Sequence, residues 1–188
     1  RVPGNRNEFS ENVVDAAGED AFLVTGGNNL FSGNQLTNSD IDFLVSGDGN
    51  EFEDNTLGGS SEACFSLSGD YITLRGNHCS GTGDGLRLDS TTGTVATGNN
   101  WTGIAIALRL YDASGNSFSN EAVTASSVAV SFENSRSNSI RFSTLAGSIQ
   151  LASNSIANYL NGSALQGSIT CDATSQLFIG ANITIEAR

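Results

Sequence analysis

The chain has 188 residues, of which 38% are hydrophobic and 22 are glycine, which is enough for one domain with a sizeable apolar core. Its eight basic residues are all arginine, and with 20 acidic residues the formal net charge is −12. This charge excludes nucleic acid as an expected partner. Because no run of 18 apolar residues occurs, we also expect no membrane insertion.

One phrase recurs from the start of the chain. It reads RNEFSENVV at 6–14, NNLFSGNQL at 28–36 and GNEFEDNTL at 49–57. In each copy an asparagine is followed by an apolar residue two positions on, a second asparagine five positions on and another apolar residue seven positions on. The units begin near residues 7, 29, 50, 72, 94, 116, 138 and 158, and residues 173–188 resemble a partial ninth unit. A repeat of about 22 residues predicts a solenoid.

Each unit contains short stretches of alternating apolar and polar residues separated by Gly, Ser, Asn and Asp. This pattern is typical of short strands and tight turns, and no stretch shows helical spacing. One unit buries too few side chains to fold alone, so the units must stack on one another. Stacking at the strand spacing of about 4.8 Å makes parallel sheets. We therefore predict a single all-β domain over 1–188, a β-solenoid of about eight coils.

The second asparagine of the phrase is predicted to form a ladder. In the stacked coils these residues lie one above another at a bend, where their amides bond to the backbone and to each other. The ladder residues are Asn12, Asn34, Asn55, Asn77 and Asn99.

The N-x-φ-x-x-N-x-φ repeats, where φ is an apolar residue, resemble those of the right-handed parallel β-helix superfamily. That superfamily contains pectate lyases, alginate epimerases, phage tailspikes and periplasmic NosD-like proteins. The resemblance covers residues 4–172 and implies the fold. It implies little about activity, because one scaffold carries many functions in this superfamily.

The candidate binding site is predicted on an outward column of the second alternating stretch of each unit. Arg87 and Arg109 are predicted to stack on adjacent coils, with Asp89, Tyr111 and Glu133 alongside and Asp84 at the preceding bend. Two forked guanidiniums and an aromatic ring suit a carbohydrate chain, especially one that carries carboxylates. The alternative is a surface lattice of ion pairs with no ligand.

The acidic run SGDGNEFEDN at 46–55 is a weaker candidate for a calcium site. Its carboxylates are Asp48, Glu51, Glu53 and Asp54. However, Glu51 and Glu53 point outward from a straight strand and lack the enclosing loop that calcium prefers. Arg75, one coil later, is expected to form a salt bridge with Glu53. We therefore predict no cofactor, with calcium as the alternative.

The three cysteines show no zinc-binding spacing. Cys79 and Cys171 fall in inward columns, and we predict that they are buried free thiols. Cys64 is predicted to face outward.

Three triplets match N-glycosylation acceptors, at Asn100, Asn161 and Asn182. The only histidine, His78, lies in an outward column without a second histidine or a carboxylate pair, so we expect a surface residue.

The sequence favours a non-catalytic protein. Lyases and epimerases of the resembling superfamily use an arginine or lysine base in a long groove, often with calcium. Here lysine is absent, and no unit carries an insertion that could wall a groove. The alternatives are a polysaccharide-active enzyme of the lyase or epimerase type and a glycan-binding module of the tailspike type.

The two ends of the predicted solenoid suggest self-association. The first unit starts without a capping helix, and the last stretch reads as strand, so both ends expose apolar side chains and strand edges. We expect another copy or a capping partner to cover them. The resulting expectation is a secreted or cell-surface structural and adhesive module, forming a fibre or spike and contacting polysaccharide along its side, with any export signal outside this sequence.

Overall fold

The computed structural model describes residues 1–15 and 19–186, apart from the side chain of residue 186. These residues form only strands, turns and irregular segments, so they contain no helix that could cross a membrane. In chain order the strands are β1 (Glu8–Ser10), β2 (Val13–Asp15), β3 (Phe22–Val24), β4 (Leu30–Ser32), β5 (Gln35–Thr37), β6 (Ile41–Val45), β7 (Glu51–Glu53), β8 (Thr56–Ser60), β9 (Ala63–Leu67), β10 (Thr73–Arg75), β11 (His78–Gly81), β12 (Asp84–Asp89), β13 (Val95–Thr97), β14 (Asn100–Thr102), β15 (Ile106–Tyr111), β16 (Ser117–Ser119), β17 (Ala122–Glu133), β18 (Ser139–Arg141), β19 (Thr144–Ala152), β20 (Asn158–Asn161), β21 (Ala164–Gln166), β22 (Ile169–Cys171), β23 (Leu177–Ile179) and β24 (Thr184–Glu186).

The strands stack into a parallel β-solenoid of about eight coils, which confirms the predicted fold class. One sheet has nine strands in the order β1-β4-β7-β10-β13-β16-β18-β20-β23, so it takes the first strand of every coil. The second and third strands of each coil form two further faces. Those faces belong to one sheet because β17 and β19 run continuously from one face to the other.

The register follows the sequence repeat. Phe9 pairs with Phe31 and Phe31 with Phe52, one coil apart, and all three side chains point into the solenoid. A second phenylalanine column, which continues through Phe43 and Phe65, meets the first edge to face, as in the Phe43–Phe52 pair with ring centroids 4.8 Å apart. The core is therefore an aromatic stack in the first coils, and in later coils it consists of mostly aliphatic residues together with Trp101, Phe118 and Phe132.

The predicted asparagine ladder is confirmed. The side-chain oxygen of Asn55 accepts hydrogen bonds from the backbone N–H of Asn34 at 3.0 Å and from its side-chain amide at 2.9 Å. The amide of Asn55 in turn donates to the oxygen of Asn77 and to the carbonyl of Phe31, both at 2.9 Å. Because each side chain satisfies backbone groups at a buried bend, the ladder holds successive coils in register.

The prediction for the cysteines was wrong. Cys64 and Cys79 form a disulfide with a Cα–Cα distance of 6.2 Å, and both are fully buried. Strict alternation would place Cys64 outside, but Ala63, Cys64 and Phe65 are all buried, because β9 starts at a corner of the coil where alternation does not hold. Cys171 is the free thiol, and it is exposed because it lies on β22, which is paired with β19 on one edge and has no described strand stacked on the other.

Candidate functional site

Asp84 is the centre of the candidate carbohydrate-binding site predicted from the sequence, which we call the strip. Its side chain is only 4% exposed, and its Oδ2 accepts a hydrogen bond from Nε of Arg87 and another from Nε of Arg109, each at 2.7 Å. Nη2 of Arg109 also donates to Oδ1 of Asp84 at 3.3 Å. The paired strands β12 and β15 place the two arginines side by side. One buried carboxylate therefore holds two guanidiniums, a stronger arrangement than an exposed pair.

The two arginines differ in their free donors. Nη2 of Arg87 donates to the backbone carbonyl of Glu62 at 3.0 Å, and its Nη1 lies 3.6 Å from the Glu62 carboxylate. Arg109 has no partner besides Asp84 among the residues described, so the outer edge of its guanidinium is free. Tyr111, two residues on, is 45% exposed. The part of the strip that could bind a ligand is therefore Arg109 with Tyr111.

The remaining strip residue contributes less. Asp89 pairs in register with Tyr111, but its carboxylate accepts a hydrogen bond from the Ser90 hydroxyl at 2.9 Å. It shares no hydrogen bond or ion pair with Arg87 or Arg109 within the described part of the chain. The geometry thus brings Asp84, Arg87 and Arg109 together and leaves Asp89 and Tyr111 beside them.

The acidic run around β7 contains the predicted salt bridge. Nη1 of Arg75 lies 3.3 Å from the carboxylates of both Glu51 and Glu53. The arginine therefore sits where a cation shared by these two side chains would bind. Across residues 1–15 and 19–186, no group of three or more His, Cys, Asp or Glu side chains is arranged to hold a metal ion.

An open cleft of about 420 Å³ lies at the N-terminal end of the solenoid, and neither Arg87 nor Arg109 lines it. The sequence suggested a cylinder without concave sites, so this cleft was not anticipated. Burial, and then repulsion from Asp40, raise the pKa of Asp20 in the cleft. Its lining consists of Arg1, Glu19, Asp20, Ala21, Leu23 and Asp40.

Glu121 is a buried acid that sequence reasoning missed. It is 1% exposed, and its two carboxylate oxygens accept hydrogen bonds from Nε1 of Trp101 at 2.7 Å and from the side-chain amide of Asn99 at 3.2 Å. Burial raises its pKa to about 7, against the lowering effect of these hydrogen bonds. The signal was in the repeat, because Glu121 follows Asn99 by 22 residues and so occupies the next rung of the ladder.

Asp42 is a second buried acid. The hydroxyls of Ser39 and Ser60 both donate to its carboxylate, and burial raises its pKa to about 6. The Ser60 hydroxyl also lies 3.5 Å from Sγ of Cys64. Asp42 therefore lies inside the corner that carries the disulfide. Strand alternation gave no signal for it, for the same reason that it misplaced Cys64.

The three candidate glycosylation asparagines are all exposed. Asn100 lies on β14, and its side-chain oxygen accepts a hydrogen bond from the Thr102 hydroxyl of the same triplet at 2.9 Å. Glycosylation at Asn100, Asn161 and Asn182 stays a prediction. His78 lies on the outer side of β11 between Thr56 and Asn100, as expected.

Comparison with known proteins places the chain by fold. A solved structure similar to the chain is that of QnrB1, described as a plasmid-mediated fluoroquinolone resistance protein, with 12% identity over 96% of this chain and 91% of that chain and a TM-score of 0.41. No curated protein matches the chain by sequence. The family model "Right handed beta helix region" matches residues 2–145, which is more than half of the chain. The chain therefore belongs to the right-handed β-helix family.

Proposed function

We propose that the protein is a non-catalytic, secreted or cell-surface structural module whose coils stack head to tail with a second copy to build a fibre. The observation that carries the proposal is the exposed apolar side of the last coil. Ile179 and Ile185 continue the inward columns of Leu160 and Leu165, yet each is 50% exposed, whereas the two leucines are almost fully buried.

The unpaired strand edges at the two ends also support head-to-tail stacking. Within residues 1–15 and 19–186, β23 pairs with β20 alone and β1 with β4 alone, so the outer edge of each of these two strands is unpaired there. On the first coil, Phe9 and Val14 continue the same two inward columns and are partly buried. A second copy that adds its β1 and β2 to β23 and β24 would place Phe9 and Val14 on the two isoleucines.

The disulfide supports export. Disulfides persist in oxidising compartments such as the extracellular space and the periplasm, and they are rare where thiols are kept reduced. The Cys64–Cys79 bond connects the third coil to the fourth inside the core. The buried carboxylate of Asp84 is already bonded by both Arg87 and Arg109, which favours a structural role for this group over catalysis.

Changing Ile185 to Lys should block assembly. The substitution places an ammonium in the coil-to-coil contact, where burial without a partner is costly. Sedimentation velocity and electron micrographs should show higher assemblies for the native protein and none through this end for Ile185→Lys.

The matched control is Thr144→Lys, which adds the same charge at an exposed outward position of β19. It should assemble like the native protein. If native and Ile185→Lys proteins give the same size distribution at every concentration, head-to-tail stacking does not occur.

Glycan contact along the side is a second candidate, favoured by the free edge of Arg109 beside the half-exposed ring of Tyr111. Arg109→Gln with Tyr111→Ala should abolish binding of a uronate polysaccharide in a titration and leave the melting temperature nearly unchanged, since Arg87 still neutralises Asp84. Equal binding by the native and double-variant proteins would identify the strip as a lattice of ion pairs. Replacing both arginines by Ala is a poorer test, because it leaves Asp84 buried without a partner.

A further inference from the structure

The outer face of the nine-stranded sheet carries most of the exposed apolar side chains of the protein. We call this surface, with the corner residues on either side of each strand, the nine-strand face. It spans residues 5–11, 27–33, 48–54, 70–76, 92–98, 114–120, 136–142, 156–162 and 176–180. Of the ten large hydrophobic residues exposed in the described part of the chain, seven lie in these segments. One of them, Ile179, belongs to an inward column. The other six are Tyr71, Val95, Phe142, Ile156, Tyr159 and Phe178.

The charges on this face are divided between its two ends. The four segments up to residue 76 contain seven carboxylates and two arginines. The five segments from residue 92 contain no carboxylate and two arginines, Arg136 and Arg141. Neither arginine forms an ion pair with another described residue. A chain with a net charge of −12 therefore has one acid-free, cationic and aromatic area, on the same face as an acidic area.

We propose that two copies pair through the nine-strand face in antiparallel orientation, about a two-fold axis that runs along β13. β13 is the middle strand of the nine, with four strands on each side. The operation reverses the order of the strands, so β18 of one copy faces β7 of the other and β20 faces β4. The interface is isologous, so each contact occurs twice.

Oppositely charged residues face each other under this operation. Glu53 and Arg141 are both the last residue of their strands, β7 and β18, and they lie in one outward column, so the axis brings them opposite each other. Asp48 and Arg136 occupy one corner column and are matched in the same way. Val95, on β13, meets its own copy at the axis.

The other two-fold axis, along the solenoid, is excluded by charge. It would place β7 of one copy against β7 of the other, with Asp48, Glu51, Glu53 and Asp54 of each copy facing the same four residues. Like charges in direct opposition destabilise an interface and suppress the wrong orientation.

The area of the nine-strand face is also sufficient for a stable interface between two copies. Nine strands at about 4.8 Å span ~38 Å, and seven residues from corner to corner at about 3.3 Å span roughly 20 Å. The product is about 800 Å², the usual contribution of one partner to a stable protein interface. The pairing does not depend on head-to-tail stacking, because it uses the side of the solenoid and leaves both ends free.

A cysteine at the two-fold axis tests the orientation. In a Cys171→Ser background, which removes the exposed native thiol, Val95→Cys should form a covalent dimer under mild oxidation. The control, Ala122→Cys in the same background, places the thiol on an exposed outward position of another face and should remain monomeric on non-reducing gels.

A charge swap tests the contacts. Arg141→Glu and Glu53→Arg should each weaken the dimer by about tenfold or more, and the two together should restore it, as measured by sedimentation equilibrium. Ile185→Lys should leave this dimer intact, which separates lateral pairing from end stacking. A native protein that stays monomeric, or Val95→Cys that cross-links no faster than Ala122→Cys, overturns the pairing, as does a monomer whose nine-strand face binds an acidic polysaccharide instead.

Discussion

Phe52→Ala is expected to lower the free energy of unfolding by about 3–5 kcal/mol, the usual cost of truncating a fully buried phenylalanine. The Phe52 ring is stacked on Phe31 with centroids 5.1 Å apart and is met edge to face by Phe43 and Phe65 at 4.8 and 5.4 Å. Each of these rings belongs to a strand whose position is set by the coils on either side. The strands cannot move inward without breaking their ladders, so the cavity stays open.

Phe142→Ala is the matched control, because it removes the same atoms from a ring that is 65% exposed. Its effect on the monomer is expected to be within about 0.5 kcal/mol, as for most surface substitutions. Urea denaturation of both variants, at a concentration low enough to avoid association, gives the comparison. Equal effects would mean that the phenylalanine columns are not the core of the solenoid.

The repeat in the sequence was sufficient to predict the straight parts of the inner coils. Phe31, Leu36 and Phe52 are apolar residues of the repeated phrase, which combines period-2 alternation with a spacing of about 22 residues, and all three are fully buried. Alternation works here because a strand in a flat sheet points successive side chains to opposite faces. The ladder asparagines were predictable for a related reason, since a buried bend needs side chains that satisfy backbone groups.

The corners were not predictable from alternation. Cys64 and Asp42 both lie at the start of a third strand, where the chain turns and consecutive side chains point inward. This is why the disulfide and one buried acid were missed. The pairing of Arg87 with Arg109 on adjacent coils was predicted, but the burial of Asp84 was not. The buried carboxylate of Asp84 accepts hydrogen bonds from both arginines and so uses donors that a ligand would need.

Glu121 could have been found, because it lies on the ladder column that Asn99 defines. A carboxylate on this rung accepts hydrogen bonds as asparagine does, but it has no amide to donate. Its charge is also enclosed by Asn99, Trp101 and the core. The ladder is therefore continued beyond Asn99 by a group whose charge depends on pH.

Glu121→Gln should remove much of the pH dependence of stability. In the folded protein the pKa of Glu121 is raised from 4.5 to about 7, so between these values the folded state holds a proton that the unfolded state releases. The stabilisation from the protonated form is complete below pH 4.5 and is lost as pH rises through about 7. At 1.36 kcal/mol per pKa unit, the loss is about 3 kcal/mol. Glutamine cannot ionise, so the variant should lack this decline.

Asp42 causes a similar decline around its lower folded pKa of about 6. The share of the slope that comes from Glu121 therefore grows as the pH rises toward 7, and urea denaturation at closely spaced pH values up to pH 7 is the sharpest measurement. The slope is a better readout than the absolute stability, because the amide of glutamine must face either Trp101 or Asn99, both of which are donors. Glu133→Gln removes the same charge from an exposed position and should keep the native slope. If Glu121→Gln keeps it too, the carboxyl group of Glu121 is solvated and does not form a rung of the ladder.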